Sequence, residues 1–295
     1  MSLRITFDVF SGRPNPSVTL TDAESADLLK RIGAVKATGA AQGSHAEPST
    51  LGYRGLIVEQ VGTASTALPQ RIRVSSSSVS GAAGTLKSVD ASVEQSILGS
   101  AAILARAGVS AELATAMRTH AAAAAKTTAT TPAPATTTPG PLVCRCAPLY
   151  EPTWWNDGAT GGARQFWNNC YNYACDYRTD TFAQPGAASG DVWHQLICAN
   201  VSAAAVRDSL TPTKVTAIKC PSEGHLVALC MWNTFDYHWY RMGRDGFWSH
   251  KPGGMPVTNL DNSGHLISDP RTANRGDYTT FCGFMIVMHG HVKIK

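Results

Sequence analysis

Apolar positions in the first part of the chain follow two different periods. Over positions 3–9 apolar residues alternate with others, which is typical of a half-buried strand. The turn residues of SGRPNP at 11–16 follow, and positions 18–20 resume the alternation. We interpret SGRPNP as a rigid connection between two strands rather than as a binding loop. Thr21 and Glu24 then have capping-box spacing, which predicts a helix ending near Gly33.

The same patterns predict the remaining elements up to position 126. Positions 56–58 and 72–74 are expected to form strands, and 92–107 and 110–125 to form helices, the second capped by Ser110. These elements predict a small α+β domain over 1–126. Residues 127–141 contain only Thr, Ala, Pro and Gly, which indicates a semi-rigid linker.

The region 142–295 begins with helices and continues with strands. A short helix is expected to start at or near Cys170, and a second to cover 191–209. Seven strands are then expected, at 215–219, 226–232, 237–241, 247–250, 266–268, 281–288 and 292–294. Helices followed by an antiparallel sheet indicate a second α+β domain.

Composition sharpens this division, because all eight cysteines and all seven tryptophans follow position 142. A domain of this size does not need disulfides, and the first residues show no apolar signal segment, so we expect reduced thiols. Four disulfides in an oxidising compartment are the alternative. The expected location is the cytoplasm, or the exterior after export without a leader.

Several classes of function are disfavoured. The net charge is only +4 and forms no basic stripe, so nucleic acid is not an expected partner. No run of about 18 apolar residues indicates a membrane span. A metal is not expected, because Cys144 and Cys146 have the wrong spacing for a zinc knuckle. No cofactor is expected either. Oligomeric state is left open.

Cys170 is the cysteine best placed to act as a nucleophile. A helix N-terminus lowers the pKa of a thiol and favours the reactive thiolate. Cys198, Cys230 and Cys282 lie inside predicted helices or strands, where we expect small buried hydrophobic residues. Gln165 or Asn169 is predicted to stabilise a developing oxyanion together with the Cys170 backbone N–H.

The partner imidazole is expected from a predicted hairpin. If residues 244–246 form a three-residue turn with Gly246 left-handed, Tyr240 faces His250 and the side chain of His238 shares their face. His238 is then the general base and His250 its orienter. A rival assignment makes His225 the base and His238 the orienter. Asp261 is an alternative orienter, because a carboxylate commonly fills that role.

The order of these groups along the chain resembles that of the papain-like superfamily, including NlpC-type peptidases. In both, a cysteine at a helix start is followed by a histidine on a later strand and a polar orienter on the next strand. The glutamine of papain relatives lies about six residues before the nucleophile, whereas Gln165 lies five before Cys170. The resemblance covers 142–295 and rests on order and spacing. It implies a papain-like fold and hydrolysis or acyl transfer at a peptide or amide bond. The alternative is a non-catalytic binding protein that uses the aromatic hairpin as its contact surface.

Overall fold

The computed structural model describes residues 2–34, 49–62, 69–75, 78–81, 84–88, 92–124, 143–156, 163–214 and 217–295. Two compact units are present, and both are α+β. Unit 1 comprises Met1–Val9, Asn15–Glu47 and Gly52–Thr130, and unit 2 comprises Phe10–Pro14, Pro48–Leu51 and Thr131–Lys295. Unit 2 thus contains two short segments from the first 51 residues, which the predicted boundary at 142 does not include. The predicted linker lies outside the described residues.

Unit 1 has an antiparallel sheet of six strands in the order β2-β1-β3-β4-β5-β6. The strands are β1 (Ser2–Phe7), β2 (Ser17–Thr19), β3 (Leu56–Val61), β4 (Arg71–Ser75), β5 (Ser78–Gly81) and β6 (Gly84–Ser88). Its helices are α1 (Asp22–Ala34), α2 (Ser92–Leu98), α3 (Ala101–Arg106) and α4 (Ala111–Ala124).

Local signals in unit 1 are confirmed. The Thr21 backbone N–H donates to the Glu24 carboxylate (2.8 Å), and the Glu24 N–H donates to the Thr21 hydroxyl (3.2 Å). Alternation in β1 buries Leu3, Ile5 and Phe7. The single helix predicted over 92–107 is wrong, because it breaks at Gly99 and Ser100 caps a new helix.

Unit 2 has an antiparallel sheet of five strands in the order β10-β9-β8-β11-β7. The strands are β7 (Thr211–Thr213), β8 (His225–Trp232), β9 (Asp236–Met242), β10 (Trp248–His250) and β11 (Thr280–Val287). Helices α5 (Pro152–Trp155), α6 (Ala163–Trp167), α7 (Cys170–Ala174) and α8 (Cys198–Arg207) precede or flank it, with a 3-10 turn at Ala187–Ser189. Buried residues of α7, α8, β8, β9 and β11 form its core.

Four predicted elements of unit 2 differ from the structure. Residues 217–219 form no strand, and 215–216 lie outside the described residues. Residues 266–268 form only isolated bridges, through Leu266 and Ile267, instead of the predicted strand. Residues 292–294 are irregular, and the helix expected over 191–209 extends only over Cys198–Arg207. Apolar composition alone did not distinguish irregular segments packed on a core from strands. No helix in the described ranges is long and apolar enough to cross a membrane.

Cysteine chemistry differs from the expectation of reduced thiols. Disulfides join Cys144 to Cys220 and Cys198 to Cys282. The interpretation of Cys198 and Cys282 as core thiols is therefore wrong, whereas Cys230 is a buried free thiol as predicted. Cys198 begins α8 and Cys282 lies in β11, so this crosslink ties the helix to the sheet.

Candidate functional site

Helix α7 begins at Cys170, as the sequence predicts. The Asn169 side chain accepts from the backbone N–H groups of Tyr171 (3.0 Å) and Asn172 (3.1 Å). The Asn172 side chain accepts from the Asn169 N–H (3.1 Å), which completes a reciprocal cap. Cys170 has no exposed surface.

The hairpin of β9 and β10 has the predicted register. Tyr240 pairs with His250, and Gly246 has a φ of 79° in the turn. The Gly243 N–H donates to the Phe247 carbonyl (2.8 Å), so residues 244–246 form the expected three-residue loop. His238 Nε2 consequently lies 2.9 Å from His250 Nδ1.

The two imidazoles belong to a hydrogen-bonded chain with one direction. His250 Nε2 lies 3.1 Å from the Leu260 carbonyl, which can only accept, so this nitrogen carries a proton. In neutral His250 the Nδ1 is then an acceptor, and His238 Nε2 donates to it. This leaves His238 Nδ1 as the basic nitrogen when His238 is also neutral. It lies 2.6 Å from the Ser11 hydroxyl.

Ser11 belongs to a segment, Phe10–Pro14, that sequence reasoning did not place in the site. The Asp236 carboxylate accepts from the backbone N–H groups of Ser11 (2.5 Å), Gly12 (3.1 Å) and Arg13 (3.1 Å). It also accepts from the Tyr278 hydroxyl (2.5 Å). Successive N–H groups converging on one carboxylate fix the segment by its backbone. SGRPNP is therefore more than the strand connection that we expected.

The carbonyl of Gly12 lies among side-chain donors. Asn169 Nδ2 donates to it at 2.7 Å and Gln184 Nε2 at 2.8 Å. The Tyr237 hydroxyl lies 3.0 Å from this carbonyl and 3.0 Å from Gln184 Oε1, and its single proton can serve one of them. Two amide donors at these distances match the geometry that stabilises an oxyanion. We call Asn169, Gln184 and Tyr237 the carbonyl cradle.

The Cys170 thiol is protonated in this arrangement. Burial raises its pKa well above the ordinary value, and the Asp236 carboxylate adds to this. The Trp239 backbone and the Ser11 hydroxyl act in the opposite direction and lower this pKa, although the single Ser11 proton can serve either the sulfur or His238 Nδ1. The Ser11 hydroxyl thus contacts both Cys170 and His238, so the segment occupies the space beside the predicted nucleophile and base.

Three other predicted site residues lie elsewhere. His225 Nε2 contacts the Ala174 carbonyl (2.8 Å) at the far end of α7. His225 lies on β8 five residues before Cys230, and Cys230 pairs with His238 on β9. At the rise of a strand, His225 is therefore about 17 Å along β8 from the residue that faces His238. The rival pair of His225 and His238 is therefore wrong.

Asp261 does not orient either histidine through its carboxylate. Its carboxylate accepts from the N–H groups of Ser263 (2.9 Å) and His265 (3.0 Å), which closes a turn. The orienting acceptor is instead the backbone carbonyl of the preceding residue, Leu260. A backbone acceptor leaves no signal in residue types, which explains why the sequence did not reveal it.

Gln165 is buried, and its backbone carbonyl accepts from the Lys251 ammonium group. Lys251 has no exposed surface, and its Nζ also donates to the carbonyls of Gly253 (2.7 Å) and Met255 (3.0 Å). The glutamine whose amide reaches the Gly12 carbonyl is Gln184. Neither Gln184 nor Lys251 has the spacing of a known motif, so only the fold identifies them.

The aromatic hairpin does not form a contact surface. Tyr237, Trp239, Tyr240 and Trp248 are fully buried, whereas Trp154 and Trp167 are exposed. Within the described ranges, no group of three or more His, Cys, Asp or Glu side chains could hold a metal ion.

Comparison with known proteins gives one informative relative. No family model matches the chain, and no solved structure matches it. Insoluble matrix shell protein 1 of Ruditapes philippinarum is 42% identical over 142 residues, which is 48% of this chain and 90% of that protein. The chain belongs to the family of this shell protein. Membership in the matrix shell protein family rests on about half of the chain and assigns no role to Cys170 or His238.

Proposed function

We propose that unit 2 carries a cysteine-dependent site for acyl transfer or hydrolysis at a peptide or amide bond. One observation carries the proposal. A peptide carbonyl, that of Gly12, is held by the amides of Asn169 and Gln184, while the adjoining Ser11 contacts both a thiol and a basic imidazole nitrogen. A bound acyl donor requires the same three elements: a cradle for its oxygen, a nucleophile and a base.

The chemistry assigns each group a step. His238 Nδ1 takes the proton from the Cys170 thiol while sulfur bonds to the acyl carbon and the carbonyl electrons move onto the cradled oxygen. The oxygen electrons then return, the carbon–nitrogen bond breaks, and the leaving amine takes the proton from His238. Water, or another acceptor with a transferable proton, attacks the thioester and regenerates the thiol. His250 and the Leu260 carbonyl stabilise the imidazolium through Nε2.

On this proposal the site is closed while Ser11 lies beside Cys170 and His238. A buried, protonated thiol is a poor nucleophile. Displacement of the Ser11 hydroxyl would open the space between Cys170 and His238, allowing thiolate and imidazolium to stabilise each other. The proposed substrate is therefore a peptide or protein, with no cofactor.

Acylation by an activated ester tests this function. In an Arg13→Ala variant, which loosens the segment that holds Ser11, we expect N-acetylglycine p-nitrophenyl ester to leave an acetylglycyl adduct on Cys170, detected by peptide mass spectrometry. Cys170→Ser should abolish the adduct, and His238→Gln should slow its formation by about 10²-fold or more. Cys230→Ser removes another fully buried thiol and should change nothing. An adduct confined to exposed Cys146, or a rate unaffected by His238→Gln, would refute the proposal.

A second candidate is a non-catalytic component of an insoluble matrix, which the 42% identity to a matrix shell protein favours. On this hypothesis the buried polar groups of unit 2 serve stability alone. The protein should then co-sediment with an insoluble matrix prepared from shell, and Cys170→Ser should not alter that binding. The two disulfides favour an oxidising compartment over the cytoplasm for either function.

A further inference from the structure

We infer that the site in unit 2 takes peptides with glycine at the cradled carbonyl, and that the chain's own segment Phe10–Pro14 occupies this position. This inference rests on the proposed function and names its substrate class. Acyl transfer by itself does not require glycine at the acylated residue, whereas the space around Gly12 does.

The space around Gly12 excludes every other residue type. A Cβ atom built on Gly12 would lie 2.4 Å and 2.5 Å from two ring carbons of Tyr237 and 2.6 Å from its backbone carbonyl oxygen. Contacts below 3.0 Å between such atoms essentially do not occur. The backbone oxygen cannot rotate away as a side chain can, because β9 pairs with β8 at this residue. Tyr237 itself has no exposed surface.

The same tyrosine links this narrow space to the proposed chemistry. Its ring closes the space at the glycine α-carbon, and its hydroxyl reaches the carbonyl oxygen of that glycine. A substrate carbonyl can therefore enter the cradle only when its residue has no side chain. This is a steric filter at the residue that would be acylated.

The segment is held by contacts that a peptide in trans would also make. Asp236 receives three successive backbone N–H groups, and the Arg13 guanidinium donates to the Phe235 carbonyl (3.0 Å). That guanidinium also lies over the Phe10 ring, 4.7 Å from its centroid. Most of these contacts use the peptide backbone, so they do not depend on the side chains of the bound peptide. Only the space beside Tyr237 restricts the residue type, and it restricts it to glycine at one position.

Gly12→Ala tests both parts of the inference. The added methyl group should expel the segment, and iodoacetamide should then alkylate Cys170 at least about tenfold faster than in the unsubstituted protein. Arg13→Ala leaves the glycine in place but removes one hydrogen bond and one cation–π contact. It should raise the rate up to about tenfold. Arg4→Ala, at an exposed arginine of β1, is the matched control and should have no effect.

Hydrolysis by the opened protein tests selectivity. Gly12→Ala should release aminomethylcoumarin from acetyl-Phe-Ser-Gly-aminomethylcoumarin with kcat/KM at least about 20-fold higher than from the matching Phe-Ser-Ala amide. Cys170→Ser in the same background should abolish release. Should Gly12→Ala not fold, as judged by circular dichroism, Arg13→Ala serves for the same assays.

The other results of these assays separate three claims: closure of the site by the segment, selectivity for glycine, and acyl transfer by Cys170. Unchanged alkylation in both Gly12→Ala and Arg13→Ala would show that the segment does not close the site. Faster alkylation with equal cleavage of the two amides would overturn the glycine selectivity and leave the proposed function standing. Faster alkylation with neither amide cleaved, and with no adduct from the activated ester, would overturn the proposed function itself.

Discussion

Individual buried polar residues of unit 2 determine how its free energy of unfolding changes with pH and with substitution. His225 is enclosed at the start of β8, and burial lowers its pKa to about 4 despite its hydrogen bond to the Ala174 carbonyl. An unfolded histidine takes up a proton near pH 6.5. Between these values the unfolded chain binds more protons than the folded protein. Stability present above pH 6.5 is therefore lost as the pH falls toward 4.

Replacement of His225 should remove this part of the pH dependence. We expect His225→Gln, which keeps a donor for the Ala174 carbonyl, to reduce the stability lost between pH 7 and pH 4 by roughly 2–3 kcal/mol. Urea unfolding at several pH values measures the loss. His194→Gln, at a histidine whose side chain is 78% exposed, should leave the slope unchanged. Equal slopes in both variants would contradict this assignment.

Lys251 is the second residue whose burial has a measurable consequence. Its ammonium group satisfies three backbone carbonyls, those of Gln165, Gly253 and Met255. Lys251→Met would remove the charged hydrogen bonds to all three carbonyls, and we expect the free energy of unfolding to fall by about 3 kcal/mol or more. Lys293→Met, at an exposed lysine, should cost under about 0.5 kcal/mol. Chemical denaturation checks both values.

At the scale of elements, unit 1 is organised around a buried ionic group. Asp8 Oδ1 lies 2.5 Å from Arg54 Nη2, and Asp8 Oδ2 lies 2.7 Å from Arg73 Nη1. Burial by itself raises the pKa of Asp8, but attraction to the two guanidinium groups outweighs it and holds the pKa well below the ordinary value. The carboxylate fixes Arg54 against the strand residue Arg73, so loop and strand are joined.

Asp8→Asn should destabilise unit 1 strongly. Removal of one partner of a buried ion pair leaves uncompensated charge, and we expect a loss of about 3–5 kcal/mol at pH 7. Because the lowered pKa stabilises the fold only while Asp8 is ionised, the difference from the unsubstituted protein should shrink as the pH falls below about 4. Asp27→Asn, at a carboxylate 58% exposed, is the matched control. A constant difference between pH 7 and pH 3 would refute this account.

The disulfide between α8 and β11 is the corresponding crosslink in unit 2. It spans 84 residues. Replacement of Cys198 and Cys282 together by alanine should lower the free energy of unfolding by about 2–5 kcal/mol, because the unfolded chain regains conformational freedom. Cys146→Ala, at an exposed free thiol, should leave stability nearly unchanged. Denaturation without reductant measures the effect, and a loss equal to that of Cys146→Ala would contradict it.

At the scale of the whole molecule, the cysteines define the redox state in which the protein folds. All eight lie in described ranges, four joined in disulfides and four free. We expect a thiol reagent in denaturant to titrate four thiols before reduction and eight after it. Eight before reduction would exclude both disulfides. Zero would show that the free thiols are also oxidised.

Much of the site was predictable because its signals are local. The cap at Asn169 places Cys170 at a helix start, and glycine at position 246 determines the hairpin loop and hence the register of Tyr240 with His250. Strand alternation then brings His238 and His250 to one face. These relations depend on residues within a few positions of each other or across one turn.

Tertiary structure alone decided the rest. Ser11, Gly12, Gln184 and Leu260 reach the site from three separated parts of the chain, and two of them act through backbone carbonyls that any residue type possesses. The pairing of the cysteines likewise depends on which of them the fold brings together. The sequence by itself therefore determined the two α+β units, the helix start and the hairpin. Which chain segment lies between Cys170 and His238 was decided by long-range packing, because no local pattern encodes contacts between residues more than 150 positions apart.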